Sequence, residues 1–253
     1  MKNPFANLFK KKDAAAPDIT PSAGDKPKKE NFFSKLLKSR LGKSSVKGEE
    51  ILGVDLTANE IRLAQISSNK ANQWVLDKFH VHKVDGLPEN ATVLEHPDKI
   101  AEELTIALQK AKITTSNAAI AIPVTSAIIR VVTSPLMTEE ELKTAIASDS
   151  LWENLVQLTD NLDDYSIFHQ VINRDEKGNT MDILFVASKL ADINSYTDII
   201  KKSGLNAVII DVKCFALKSA VDQINQIAGT IEESNLTAVL EFGLDENYVM
   251  ILY

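Results

Sequence analysis

The patterned part of this chain opens on "ILGVDLTANEIRLAQIS", Ile51 to Ser67, a short apolar run, a polar elbow and a second alternating run. Alternation of apolar and polar residues is the period of a β-strand with one covered face, so the segment reads as a hairpin. A weaker copy, "TAVLEFGLDENYVMILY", occupies Thr237 to Tyr253. Between the two copies, strand patterns alternate with helical ones. That order, with a repeated hairpin, restricts the chain to an α/β fold with internal duplication.

The intervening elements can be read in turn. Ile51 to Leu56 and Ile61 to Ser67 are strands around the elbow Thr57-Ala58-Asn59-Glu60, and Gln73 to Val84 is a third. Pro97 to Lys112 is predicted as an amphipathic helix, with Ile100, Leu104, Ala107, Leu108 and Ala111 on one face and Asp98 near its start. Asn117 to Pro123 reads as a short buried strand and Ser126 to Pro135 as another. A single helix is predicted over Thr138 to Val156, opened by Thr138 with Glu141 three residues on, the spacing of a capping box. "DYSIFHQVIN" and "MDILFVASK" form a hairpin around "RDEKGN". Asp192 to Lys202 is a helix stopped by Gly204. "NAVIIDV" is a strand and "KCFALKSAVDQINQIAG" the last helix before the closing hairpin.

Residues 1–50 have a different texture. They hold 12 of the chain's 28 Lys and Arg but 6 of its 35 Asp and Glu, leaving 16 basic and 29 acidic residues in the remainder. An acidic body disfavours bulk nucleic-acid binding, whereas a basic extension suits an anionic surface or partner. Lys10 to Glu30 is rich in Pro, Lys and small residues without periodicity, the composition of a disordered linker. It joins two similar patches, "NPFANLFKKK" and "NFFSKLLKSR", each following Asn-x-Phe-x-x-Leu-x-Lys. Phe5 and Leu8 mark the first, and Phe33, Leu36, Leu37 and Lys38 the second, which Asn31 can cap as a short helix. These patches are either weak membrane or partner docking elements or a floppy tail with chance aromatics; the duplication favours docking, because two weak anchors reinforce one another.

No apolar run approaches the roughly 20 residues that span a bilayer, and no signal-peptide core is present. With a single cysteine, Cys214, an intramolecular disulfide framework is excluded. A soluble protein of a reducing compartment, the cytoplasm, is expected.

The first elbow is either a plain hairpin or a phosphate-binding turn. A tight turn directing successive N–H groups outward makes an anion nest; Thr57 and Asn59 add donors, Arg62 a charge, and Asp55 a carboxylate for hydrated Mg²⁺. The elbow lacks glycine, which restricts close approach to a phosphate. The closing elbow, Gly243 to Asn247, contains glycine but carries Glu241, Asp245 and Glu246, which repel a bare phosphate. Opposed elbows with a cation between them would form a nucleotide clamp. His80 and His82 point to one strand face but lack a third ligand nearby, so solvated strand histidines are expected and no metal site is assigned. Cys214 reads as a small buried residue and Trp152 as core or groove lining. There is no Walker loop, nucleophile elbow, zinc motif or kinase signature, and no catalytic residue is assigned.

The order of Leu52–Leu63, Ser126–Pro135 with Arg130, Met181–Lys189, Gly204–Leu217 and the second elbow resembles the type IV pilus assembly protein family PilM. FtsA-like division proteins and type II secretion L proteins are related patterns. The resemblance implies an actin-like fold: a disordered basic extension over 1–50, subdomain 1A over 51–124, subdomain 1C over 125–189, a return to 1A over 190–235, and the start of an incomplete domain 2A over 236–253. It implies ATP with Mg²⁺ between two phosphate loops, the first at Asp55, Thr57, Asn59 and Arg62, the second at Glu241, Gly243 and Asp245, with Asp211 on the connecting strand. It also implies a groove near 1A and 1C for the N-terminal cytoplasmic peptide of a PilN-type inner-membrane protein, and other pilus assembly subunits as further partners. Lys213 stands where an acidic residue is common, and the chain reaches Tyr253 before an adenosine-contacting segment. The expected function is therefore a cytoplasmic adaptor of type IV pilus assembly at the inner membrane. An ATP-dependent enzyme of the actin-like and sugar-kinase superfamily, or an FtsA-like membrane-tethered scaffold, are the alternatives; the enzyme would need a general base, and none is identified.

Overall fold

In β1 (Ile51–Leu56), every second residue is buried, Leu52, Val54 and Leu56 facing inward. β2 (Glu60–Ser68) lies antiparallel to it, pairing Asp55 with Arg62 and Leu56 with Ile61. These assignments come from a computed structural model, which describes residues 50–68, 74–147, 150–156, 161–228, 237–243 and 246–252. β3 (Trp74–Lys83) continues the antiparallel meander. β4 (Asn117–Ile122) joins the other side of β1 in parallel, and β8 (Asn206–Val212) joins β4 in parallel. The resulting five-stranded sheet has the order β3-β2-β1-β4-β8.

Helices α1 (Pro97–Lys110) and α4 (Leu190–Lys202) cover the inward row of that sheet and touch each other. Ile100, Leu104 and Ala107 of α1 and Ile193, Tyr196, Ile199 and Ile200 of α4 are buried, at the spacing of one helical face. α4 ends in a Schellman motif. Gly204 N–H donates to the Lys201 carbonyl and Leu205 N–H to the Ile200 carbonyl, both at 3.1 Å, with Gly204 at φ 87°. No Cβ is tolerated there without left-handed strain. Gly204→Ala is expected to lower unfolding free energy by about 1–2 kcal/mol, measured by urea denaturation; an unchanged midpoint would show the cap to be dispensable.

A second sheet is built from the chain between β4 and β8. β5 (Ala127–Pro135), β6 (Tyr165–Asp175) and β7 (Thr180–Lys189) are antiparallel in the order β5-β7-β6. β7 is central, buries most of its residues, and supplies Met181, Ile183, Phe185 and Ala187 to a core closed by Leu142, Trp152 and Val156. Those last residues come from α2 (Glu139–Ala147), α3 (Ser150–Leu155) and the turn after it. The expected single helix over Thr138 to Val156 is thus described as two. Its capping box is present: Glu141 Oε2 accepts from Thr138 N–H at 2.8 Å, and Thr138 Oγ1 accepts from Glu141 N–H at 3.3 Å.

α5 (Lys213–Ala228) follows β8 directly, and a hairpin of β9 (Thr237–Phe242) and β10 (Asn247–Leu252) ends the described chain. No helix among the described residues is long and apolar enough to cross a membrane. The N-terminal docking candidates Phe5, Leu8, Phe33, Leu36, Leu37 and Lys38 lie outside the described residues.

Candidate functional site

Thr57 organises the first elbow from within. Its hydroxyl donates to the Glu60 carbonyl at 2.8 Å and accepts from the N–H groups of Glu60 at 3.0 Å and Asn59 at 3.3 Å. Thr57 N–H donates to the same Glu60 carbonyl at 3.1 Å, while the Asn59 carbonyl accepts from Val84 N–H at 2.8 Å. Of the two readings open for this elbow, a plain hairpin and a phosphate-binding turn, these bonds are those of the plain hairpin. Three elbow amides close the turn on itself: the threonine hydroxyl accepts from those of Asn59 and Glu60, and the Glu60 carbonyl accepts from that of Thr57.

The charges beside the elbow are also paired. Asp55 and Arg62 are cross-strand partners, with Arg62 Nη1 2.8 Å from Asp55 Oδ2, and Arg62 also meets Glu60. From the β8–α5 junction, Lys213 Nζ reaches between hairpins, 3.9 Å from Asp55 Oδ1 and 3.4 Å from Glu241 Oε1 on β9. Glu246, which opens toward β10, is buried, and its Oε2 accepts from Val124 N–H at 3.0 Å. Burial raises its pKa, opposed by that hydrogen bond and the Lys213 charge and aided by the Glu241 and Asp55 charges. Gly243 N–H donates to the Glu246 carbonyl at 3.0 Å, and a Cβ on Gly243 would stand 3.1 Å from that oxygen, so a side chain there would crowd the tight return.

The structure therefore brings Asp55, Arg62 and Glu241 into one cluster, with Thr57 in the turn beside it and Gly243 shaping the opposing hairpin. Asp211 serves its own strand end, its Oδ1 accepting from Val212 N–H at 2.7 Å, and burial raises its pKa. Asp245 lies outside the described residues. Lys213 and Glu246 complete the cluster and were not among the expected site residues; a lysine ending an apolar strand and a third acid in the second elbow were their signals. Cys214 is buried, and burial pushes its thiol up to about 11, so it is no activated nucleophile.

Whether these residues fit Mg²⁺ follows from the donors. Mg²⁺ needs near-octahedral oxygen ligands, yet both Asp55 oxygens face cationic side chains and Lys213 lies toward Glu241. Among the described residues no group of three or more His, Cys, Asp or Glu is placed to hold a metal. The cluster does not fit a magnesium ion.

The expectation of solvated strand histidines is overturned for His82. It is buried against α1, with Nε2 2.6 Å from Glu103 Oε2, while Lys99 Nζ approaches Glu103 Oε1 at 2.6 Å. Lys110 Nζ lies 3.5 Å from His82 Nδ1. The i, i+4 pair Lys99–Glu103 facing an alternating strand was the available signal.

A second feature is a groove of about 640 Å³ between α2 and β6, lined by Leu142, Ile146, His169, Val171 and Ile172, with Glu139, Lys143 and Arg174 at its polar margin. β6 is an edge strand with a bulge at Ile172: Val171 pairs with Ile183 and Asn173 with Asp182, so Ile172 is skipped and both neighbours line the groove. His169 leans on Trp152, ring centroids 5.6 Å apart, and burial lowers its pKa.

A mixed five-stranded sheet under two helices, a second sheet carried between β4 and β8, and a closing hairpin define an α/β protein of the fold seen in PilM. The family model described as type IV pilus assembly protein PilM matches residues 53–253, and the chain belongs to that family. Among solved structures, a PilM–PilN type IV pilus biogenesis complex is similar, with a TM-score of 0.60 and 18% identity over 81% of this chain. This chain spans 61% of the length of that one. The cytoplasmic domain of EpsL, an inner membrane component of the Vibrio cholerae type II secretion system, matches at a TM-score of 0.41 and 15% identity, covering 64% of this chain and 57% of its own. A Bacteroides thetaiotaomicron protein with an actin-like ATPase fold matches at 0.35 and 10%, covering 81% and 70%.

Proposed function

We propose that this chain is a type IV pilus assembly adaptor that holds an extended segment of a membrane partner in the α2–β6 groove. The observation that carries the proposal is the groove itself, an apolar floor with a polar margin beside an open sheet edge. An extended peptide gains affinity from main-chain pairing along such an edge and specificity from side-chain pockets. The partner is the N-terminal cytoplasmic peptide of a PilN-type inner-membrane protein, which puts the chain in the cytoplasm at the inner membrane. The basic extension adds a second weak contact to an anionic surface, and linkage of the two raises residence there.

Fluorescence polarisation with a labelled PilN-type N-terminal peptide tests this. Ile172 is 36% exposed, so Ile172→Asp leaves the core intact. It should weaken binding about tenfold, ~1.4 kcal/mol, with unchanged circular dichroism. A peptide that ignores the wild-type chain, or binds both chains equally, would sink the proposal.

A further inference from the structure

The cluster between the two hairpins contains a cation of its own. Lys213 is the first residue of α5, and its backbone is set by β8, whose preceding residue Val212 pairs with Ile122 of β4. A rigid strand end therefore delivers the ammonium to Asp55 and Glu241, 3.9 and 3.4 Å away, with the lysine side chain 13% exposed. Asp55's other oxygen is held by Arg62 at 2.8 Å. The third carboxylate, Glu246, is turned to Val124 N–H. A divalent ion would have to take the oxygens that Lys213 already faces, beside a fixed positive charge.

We infer that Lys213 is the resident cation of this cleft: it ties the β1–β2 and β9–β10 hairpins together through Asp55 and Glu241 without a divalent metal. The cleft is then closed to a divalent ion, whether or not a ligand such as ATP is present. The inference uses residues outside the peptide groove, so either proposal can fail while the other stands.

Mn²⁺ titration of the full chain, followed by electron paramagnetic resonance, tests it directly. The wild-type chain is expected to bind no stoichiometric Mn²⁺. Lys213→Glu, which replaces the ammonium with a fourth carboxylate, should gain one Mn²⁺ that the added Asp55→Asn removes. The thermal midpoint of the wild-type chain with ATP should be the same in Mg²⁺ as in EDTA. Stoichiometric wild-type Mn²⁺ lost in Asp55→Asn would overturn the inference, as would ATP stabilisation that needs Mg²⁺. A folded Lys213→Glu chain that takes up no Mn²⁺ would also count against it, since the lysine would not be what excludes the ion. Should that variant not fold, the two wild-type measurements still decide.

Discussion

Trp152→Ala is expected to lower unfolding free energy by about 3–5 kcal/mol, among the largest single losses available in the second sheet. Trp152 is 1% exposed. Its ring stands 5.0 Å from Phe185 at a 52° tilt and 5.6 Å from His169 at 48°. Tilted aromatic contacts of this kind add to area burial. Among the described residues, nine buried ones from three strands and the α2–α3 segment close over β7 around it. Removing the largest of them leaves a void that short helices cannot collapse around. Chemical denaturation should show the lost midpoint, with Phe168→Ala, on an exposed position of β6, within about 0.5 kcal/mol of wild type as the control. Because Trp152 backs His169 at the groove, peptide affinity should fall in Trp152→Ala as well. A loss below ~1 kcal/mol would mean that Trp152 is not the keystone of that core.

Much of this architecture was readable from local pattern. The period of two in β1 and β4, the helical stripe of α1 and the Thr138–Glu141 capping box all depend on neighbours within a few residues. The Gly204 stop is equally local. The site was less legible. Asp55 and Glu241 could be placed on two hairpins, but the side chain that joins them comes from a third element, and strand spacing says nothing about where a lysine reaches. Thr57 could either offer its hydroxyl outward or close its own turn, and it closes the turn. A hydroxyl serves either purpose, and only the backbone course decides. His82 misled because His80 and His82 share one strand face: its burial depends on α1 packing over that face, a tertiary event without a local signature. The bulge at Ile172 is a matter of cross-strand register, set by β7.

The buried polar pair under α1 supports the last prediction. Glu103 accepts from Lys99 and faces His82 Nε2, both at 2.6 Å, at a side-chain exposure of 11%. Glu103→Ala leaves the buried His82 Nε2 without its hydrogen-bond partner, and an unsatisfied buried polar group costs about 1–3 kcal/mol. Glu103→Gln keeps the shape and one acceptor, so its loss should be smaller. The two mechanisms, packing and charge, separate with pH. The Lys99 hydrogen bond, then that of His82, hold the Glu103 carboxyl below its ordinary value of 4.5. A carboxylate depressed in the folded state binds protons more readily when unfolded. Its stabilisation is therefore complete above pH 4.5 and lost as the pH falls through the folded value. The difference in unfolding free energy between wild type and Glu103→Gln should hold steady above about pH 4.5 and shrink as the pH falls from there through the folded value. A difference independent of pH throughout would assign Glu103 a packing role alone, and the lysine and histidine would be neighbours rather than partners.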